Sequence, residues 1–263
     1  MYDFAFHKPS TVAEAVALLA DPDARPISGG QTILPALKHR LDRPSALVDL
    51  SGIAELRGIR REGDRLIIGA MARHAEISKD PTVSAAIPAL ARMAGSLGDT
   101  QVRNRGTMGG SLANNDPAAD YPAAALALGA TFVTNRRRIA ADEFFQGMFT
   151  TALEPGELLT AIEYPIPEKA GYAKMRNPAS RYVMTGVFVA RGPMGVRVAV
   201  NGAGPGVFRQ AEMEAALAAN WSPDVVSGIR QSPDGLNGDI HGSAEYRAHL
   251  VTVMAKRAIL DAG

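Results

Sequence analysis

Gln101-Val102-Arg103-Asn104-Arg105-Gly106-Thr107-Met108-Gly109-Gly110-Ser111-Leu112-Ala113-Asn114-Asn115-Asp116 is the most informative stretch of the chain. It combines a glycine pair behind a hydroxyl, two arginines and a cluster of side-chain amides. It is not a P-loop, because no Gly-Lys-Ser/Thr follows. Between apolar segments, residues 98–120 read as one long polar loop, and long loops inside compact domains are usually functional. A second glycine pair lies upstream in Ser28-Gly29-Gly30-Gln31-Thr32. It sits between a short strand (24–27) and a helical stretch (33–41). A plain strand-to-helix turn would also use glycine here. Two such loops in one domain, however, suit the two halves of a dinucleotide: glycine lets backbone approach a ligand, and backbone N–H groups hold a phosphate.

Outward from these loops the pattern is mixed α and β. Residues 3–8 alternate as a strand. Thr11 and Glu14 have capping-box spacing at the start of a helix over 11–19. Residues 46–49 and 65–70 read as strands, and 74–78, 87–95 and 121–128 as helices. Strands follow at 130–134, 138–140 and 157–164. Pro165-Ile166-Pro167 then marks a boundary. Beyond it, residues 182–190 and 196–200 form a hairpin, followed by helices at 210–219, 222–227 and 244–262.

Composition removes several function classes. The 263 residues carry 28 Lys and Arg against 27 Asp and Glu. That balance has no basic block to support nucleic-acid binding, and Arg136-Arg137-Arg138 reads as a solvated turn. The opening residues do not read as a secretory leader, and no apolar run is long enough to span a membrane. The absence of cysteine excludes disulfides, thiolate zinc sites and thiolate-held iron–sulfur clusters on this chain, and fits a cytoplasmic location. The five histidines lack metal-ligand spacing. Gly202-Ala203-Gly204-Pro205-Gly206 fails the dinucleotide fingerprint, because Val207 replaces the third glycine.

Taken in order, Phe4 with Pro9-Ser10-Thr11 and Glu14-Ala15, then Ser28 to Pro35, Ile68-Gly69-Ala70, Gln101 to Ala113, and Asp116-Pro117-Ala118-Ala119-Asp120 closely resemble the FAD-binding medium subunit of the molybdenum hydroxylases. That is the carbon monoxide dehydrogenase and xanthine dehydrogenase family. The resemblance spans nearly the whole chain. It implies an α+β fold: a two-subdomain FAD-binding domain of the PCMH, vanillyl-alcohol-oxidase-like type over 1–168 (subdomains about 1–55 and 56–168). A C-terminal flavoprotein domain over 169–263 would follow, with a three-stranded antiparallel sheet and a helical bundle.

The resemblance also implies site roles. Ser28, Gly29, Gly30, Gln31 and Thr32, with Ile33 and Leu34, would wrap the FAD diphosphate, and Thr107, Met108, Gly109, Gly110 and Ser111 would form the facing loop. Asn114 matches a position near that loop, and Asp120 the acidic residue at the ribityl or adenosine portion. Leu97 and Leu159 match apolar neighbours of the cofactor. Lys174 matches a lysine at the flavin ring, where a cation stabilises developing negative charge. No catalytic acid, base or metal ligand is implied. Ser28 and Gln31 depart from the Ala and the His or Asn usual in the first loop, and Asn114-Asn115 replace a histidine of the second. Both changes keep hydrogen-bonding capacity. The implied function is electron transfer in a dimer of heterotrimers. An iron–sulfur small subunit would feed FAD, a large subunit would carry the molybdenum cofactor, and NAD, a quinone or oxygen would accept the electrons. A stand-alone FAD-dependent oxidoreductase and a non-redox nucleotide-binding interaction module are the alternatives.

Overall fold

The structure is a computed structural model describing all 263 residues. The first unit is a parallel three-stranded sheet with strand order β1-β3-β2. It comprises β1 (Ala5–His7), α1 (Val12–Leu18), β2 (Arg25–Ile27), α2 (Ile33–Lys38) and β3 (Ala46–Asp49). Thr11 caps α1 as its spacing predicts, its hydroxyl accepting from the Glu14 N–H at 3.2 Å. The Glu14 carboxylate reaches one residue further back than a capping box requires, to the Ser10 N–H and hydroxyl at 2.8 and 3.0 Å. Ala15, Val48, Ile53 and Leu56 fill a small core that also takes in Met71 and Leu158 from the next unit.

The second unit is built on an antiparallel sheet ordered β4-β5-β10-β6-β7. It begins with β4 (Ile59–Glu62) and β5 (Arg65–Gly69), then α3 (His74–Lys79), α4 (Pro81–Ala86), α5 (Pro88–Gly95), α6 (Thr100–Arg105), α7 (Met108–Asn114) and α8 (Tyr121–Leu128). It continues with β6 (Thr131–Thr134), β7 (Arg138–Ala140), α9 (Ala141–Phe144), the small hairpin β8 (Phe145–Gly147) and β9 (Thr150–Thr151), and β10 (Leu159–Pro165). Residues 98–120 are therefore not one loop: α6 and α7 occupy most of it, each capped by a side chain. Asp99 accepts from the Val102 N–H at 2.8 Å, and Thr107 from the Gly110 N–H at 3.1 Å. The glycines that weakened a helical reading lie inside the first turn of α7. Arg136, Arg137 and Arg138 do not form a merely solvated turn either. They pair in order with Glu154 at 3.1 Å, Glu157 at 3.0 Å and Glu163 at 2.8 Å.

The third unit has four strands, not three: β11 (Lys169–Arg176), β12 (Val183–Gly192), β13 (Gly195–Asn201) and β14 (Phe208–Arg209), all antiparallel and in that order. Two helices, α10 (Ala211–Ala219) and α11 (Ala244–Ala262), complete it. Residues 223–228 make only turns. Strand alternation divides β12 between two cores. Val187 and Val189 pack with Val251 and Met254 of α11, while Phe188 and Ala190 join the core of the second unit. Helix α8 lies against that inner face. All eight of its residues are buried, as expected of a helix apolar on every side.

Candidate functional site

A cleft of about 730 Å³ runs between the first unit and the second and is also lined by a short segment of the third. Its volume falls in the range of about 300–1,000 Å³ typical of small-molecule and cofactor sites. Fourteen of the seventeen residues expected at the cofactor line it: Ser28 to Ile33, Leu97, Thr107, Gly109, Gly110, Ser111, Asn114, Asp120 and Leu159. Leu34, Met108 and Lys174 do not. Leu34 packs behind the first loop, where a Cβ on Gly30 would come to 2.8 Å of its Cδ1. Met108 is fully buried, its sulfur 3.4 Å from the Tyr164 hydroxyl. Lys174 sits behind Asp120, with its ammonium 2.6 Å from Oδ1.

The two glycine segments have different chemistry. None of the backbone N–H groups of Ser28, Gly29, Gly30, Gln31 and Thr32 donates to an acceptor in the chain. Helix α2, which follows, has no side-chain cap. Gly30 is left-handed, at φ 72°, so successive N–H groups form the concave nest that binds anions. In α7 the corresponding donors are already used. Met108 N–H goes to the Ala72 carbonyl at 3.0 Å and Gly109 N–H to that of Ala70 at 2.9 Å. Ser111 N–H goes to that of Thr107 at 3.1 Å, and Gly110 N–H to the Thr107 hydroxyl.

The glycines of α7 answer to packing. A Cβ on Gly109 would come to 2.6 Å of Ala70 Cβ, and one on Gly110 to 2.6 Å of Ser28 Oγ. A Cβ on Gly29 would collide with the Arg105 carbonyl oxygen and come to 2.7 Å of Gly106 Cα. The first loop and the α6–α7 turn are thus in direct contact, joined also by the Thr107 hydroxyl, which donates to Ser28 Oγ at 3.0 Å.

The walls contain residues that local sequence did not single out. His74 lines the cleft while almost wholly buried, 3.2 Å from the Tyr121 hydroxyl. Burial, and secondarily the charge of Arg103, pull its pKa down to about 4. Glu157 is held down to about 2, mainly by its hydrogen bonds from Arg137. Ser180, Arg181 and Tyr182, between β11 and β12, reach the cleft across the domain boundary. Gly98 and Gly106 belong to the glycine-rich stretch itself. Asn115 holds the wall from outside: it is left-handed at φ 46°, and its amide donates to the carbonyls of Gly147 and Thr150 at 2.7 and 2.8 Å.

An anion nest in a long cleft, flanked by hydroxyls and apolar walls, fits a dinucleotide with a diphosphate at its centre. Residues 2–167 match the family described as the FAD binding domain in molybdopterin dehydrogenase. The carbon monoxide dehydrogenase medium chain of Hydrogenophaga pseudoflava is 34% identical over 278 residues, covering 97% of this chain and 96% of that one. The nicotine 6-hydroxylase medium subunit of Paenarthrobacter nicotinovorans is 33% identical over 282 residues, covering 98% and 96%. Among solved structures, reconstituted CO dehydrogenase from Oligotropha carboxidovorans superposes with a TM-score of 0.89 at 32% identity, covering 99% of this chain and 98% of that one. The nest at Ser28–Thr32 and these likenesses agree: the chain belongs to the family of FAD-binding domains of molybdopterin dehydrogenases.

Proposed function

We propose that this chain is the FAD-binding subunit of a multi-subunit molybdenum hydroxylase. In that role it takes electrons from the iron–sulfur clusters of a small partner subunit and passes them from FAD to an external acceptor: NAD, a quinone or oxygen. A large partner subunit carries the molybdenum cofactor and oxidises the substrate. Residues 1–168 serve as the FAD-binding domain and 169–263 as the C-terminal flavoprotein domain. The observation that carries the reading is the row of five unpaired backbone N–H groups from Ser28 to Thr32 beside a cleft of cofactor size.

FAD supplies the redox chemistry when bound; the protein supplies binding, orientation and electrostatics. The first-loop nest neutralises diphosphate charge without a lysine. The hydroxyls of Ser28, Thr32 and Ser111 line the same passage and add neutral donors. Leu97 and Leu159 supply apolar wall. Asp120 offers an acceptor to hydroxyl or N–H groups of the cofactor. The medium-chain names of the relatives support the subunit role.

The test is isolation of the complex from its native cells. It is expected to be yellow, to release FAD and not FMN on denaturation, and to contain molybdenum and iron in companion chains. A colourless complex that takes up no FAD would overturn the reading. A chain that is yellow alone and oxidises an organic substrate without companions would replace the subunit role with a stand-alone oxidoreductase.

A further inference from the structure

Asp120 is 5% exposed and lines the cleft, but its two oxygens are not equivalent. Oδ1 receives both the Tyr172 hydroxyl at 2.7 Å and the Lys174 ammonium at 2.6 Å. Neither Tyr172 nor Lys174 lines the cleft. No donor in the chain reaches Oδ2, and it is not among the buried side-chain atoms left without a partner. The carboxylate is therefore gripped from behind through one oxygen, and the other is left to the cleft. Both grips come from β11 of the third unit. The Lys174 ammonium also faces the Ser96 carbonyl at the end of α5, at 3.4 Å.

The same sheet fixes the segment that carries Asp120. The Asn201 amide donates to the Ala119 carbonyl at 2.7 Å, and the Gly202 N–H to the Pro117 carbonyl at 2.8 Å. Tyr172 keeps its proton, because burial and the adjacent Asp120 carboxylate push its pKa well above the ordinary tyrosine value. It is a permanent donor. A lysine alone would leave the carboxylate free to turn about its contact. A second donor of fixed direction on the same oxygen removes that freedom.

We propose that Tyr172 is a positioning residue for the cofactor. With Lys174 as counter-charge it locks Asp120 Oδ1, so that Oδ2 is presented as the one fixed acceptor for a hydroxyl or N–H donor of FAD. In this arrangement Lys174 acts through Asp120. This rests on the FAD reading of the cleft.

The test is a coupling measurement on the complex as isolated, stripped of flavin and titrated with FAD by fluorescence quenching. Tyr172→Phe is compared in two backgrounds, wild type and the charge-neutral pair Asp120→Asn/Lys174→Met. That pair avoids stranding either charge in a buried site. In the wild-type background Tyr172→Phe weakens FAD binding about tenfold; in the charge-neutral background it changes binding by less than twofold. An equal loss in both backgrounds shows that Tyr172 acts independently of Asp120 and overturns the proposal, as does no loss in the wild type. A wild-type complex that takes up no FAD overturns instead the reading of the cleft, and this role with it.

Discussion

Gly29 and His74 show how much of the cleft depends on single atoms. The Gly29 Cα lies so close to the Arg105–Gly106 backbone that no side-chain rotation can accommodate a methyl group. Gly29→Ala is therefore expected to push the first loop off the α6–α7 turn, breaking the Thr107–Ser28 hydroxyl contact. The flavin content of the purified complex, read by absorbance, should fall to a small fraction of wild type; full occupancy would show that the nest tolerates the shift. His74 makes a pH prediction. Its folded pKa of about 4 lies below the ordinary 6.5. As pH falls below 6.5, the unfolded chain takes up a proton that the folded chain refuses until about 4. Stability from this residue is thus complete above pH 6.5 and declines between 6.5 and 4, by up to about 3 kcal/mol. Glu157 acts in a lower window: its depressed pKa gives stability that is present above about 4.5 and lost toward 2. Urea unfolding at pH 7.5 and 4.5 should show a decline that His74→Gln largely removes. An equal decline in the variant would place the acid sensitivity elsewhere.

At the scale of elements, α7 makes an opposite prediction from the one helix propensity gives. Alanine is favoured over glycine inside a helix by roughly 1 kcal/mol. At Gly109, however, the new methyl would meet Ala70 Cβ at 2.6 Å, with its Cα and carbonyl oxygen nearly as close. Overpacking against backbone costs about 1–3 kcal/mol, so Gly109→Ala is expected to lower the melting temperature; a rise would mean that β5 and α7 can separate. This helix also marks a limit of sequence reading. Gly109 and Gly110, with Asn114 and Asn115 at the far end, argue for a loop locally, and only the cap at Thr107 and the tertiary contact with Ala70 make the segment helical. Strand β4 escaped for a similar reason: Arg60, Arg61 and Glu62 are exposed, so no apolar alternation marks it. By contrast α11 was legible to the residue, because its apolar positions recur at helical spacing from the Ser243 cap onward. The first loop stood out only beside the second: a glycine pair between strand and helix also serves a plain turn, and two such segments in one domain gave it weight. The ion pair between Lys174 and Asp120 was not legible, since sequence does not show that the two stand together.

At the scale of the molecule, the third unit is a wall of the site as much as a separate domain. Its sheet is buried on both faces, one against α10 and α11 and the other against the core of the second unit. It also anchors Pro117, Ala119 and Asp120 from behind. Residues 1–168 expressed alone would expose α8, which has no polar side to turn outward. The fragment is expected to aggregate or to unfold without a sharp transition, and to retain no FAD. A fragment that melts cooperatively and binds FAD would show that the third unit is dispensable for the site. The absence of cysteine sets a second molecule-wide expectation. No cluster of three or more His, Asp or Glu side chains could hold a metal, and no thiol is available for an iron–sulfur cluster or a thioether to flavin. With no thioether to hold it, FAD is expected to leave this chain for solution when the complex is denatured, and all of the iron should separate with the companion chains. Chromatography of the denatured subunits with flavin and iron assays checks both; flavin that stays covalently with this chain, or iron that purifies with it in native form, would contradict them.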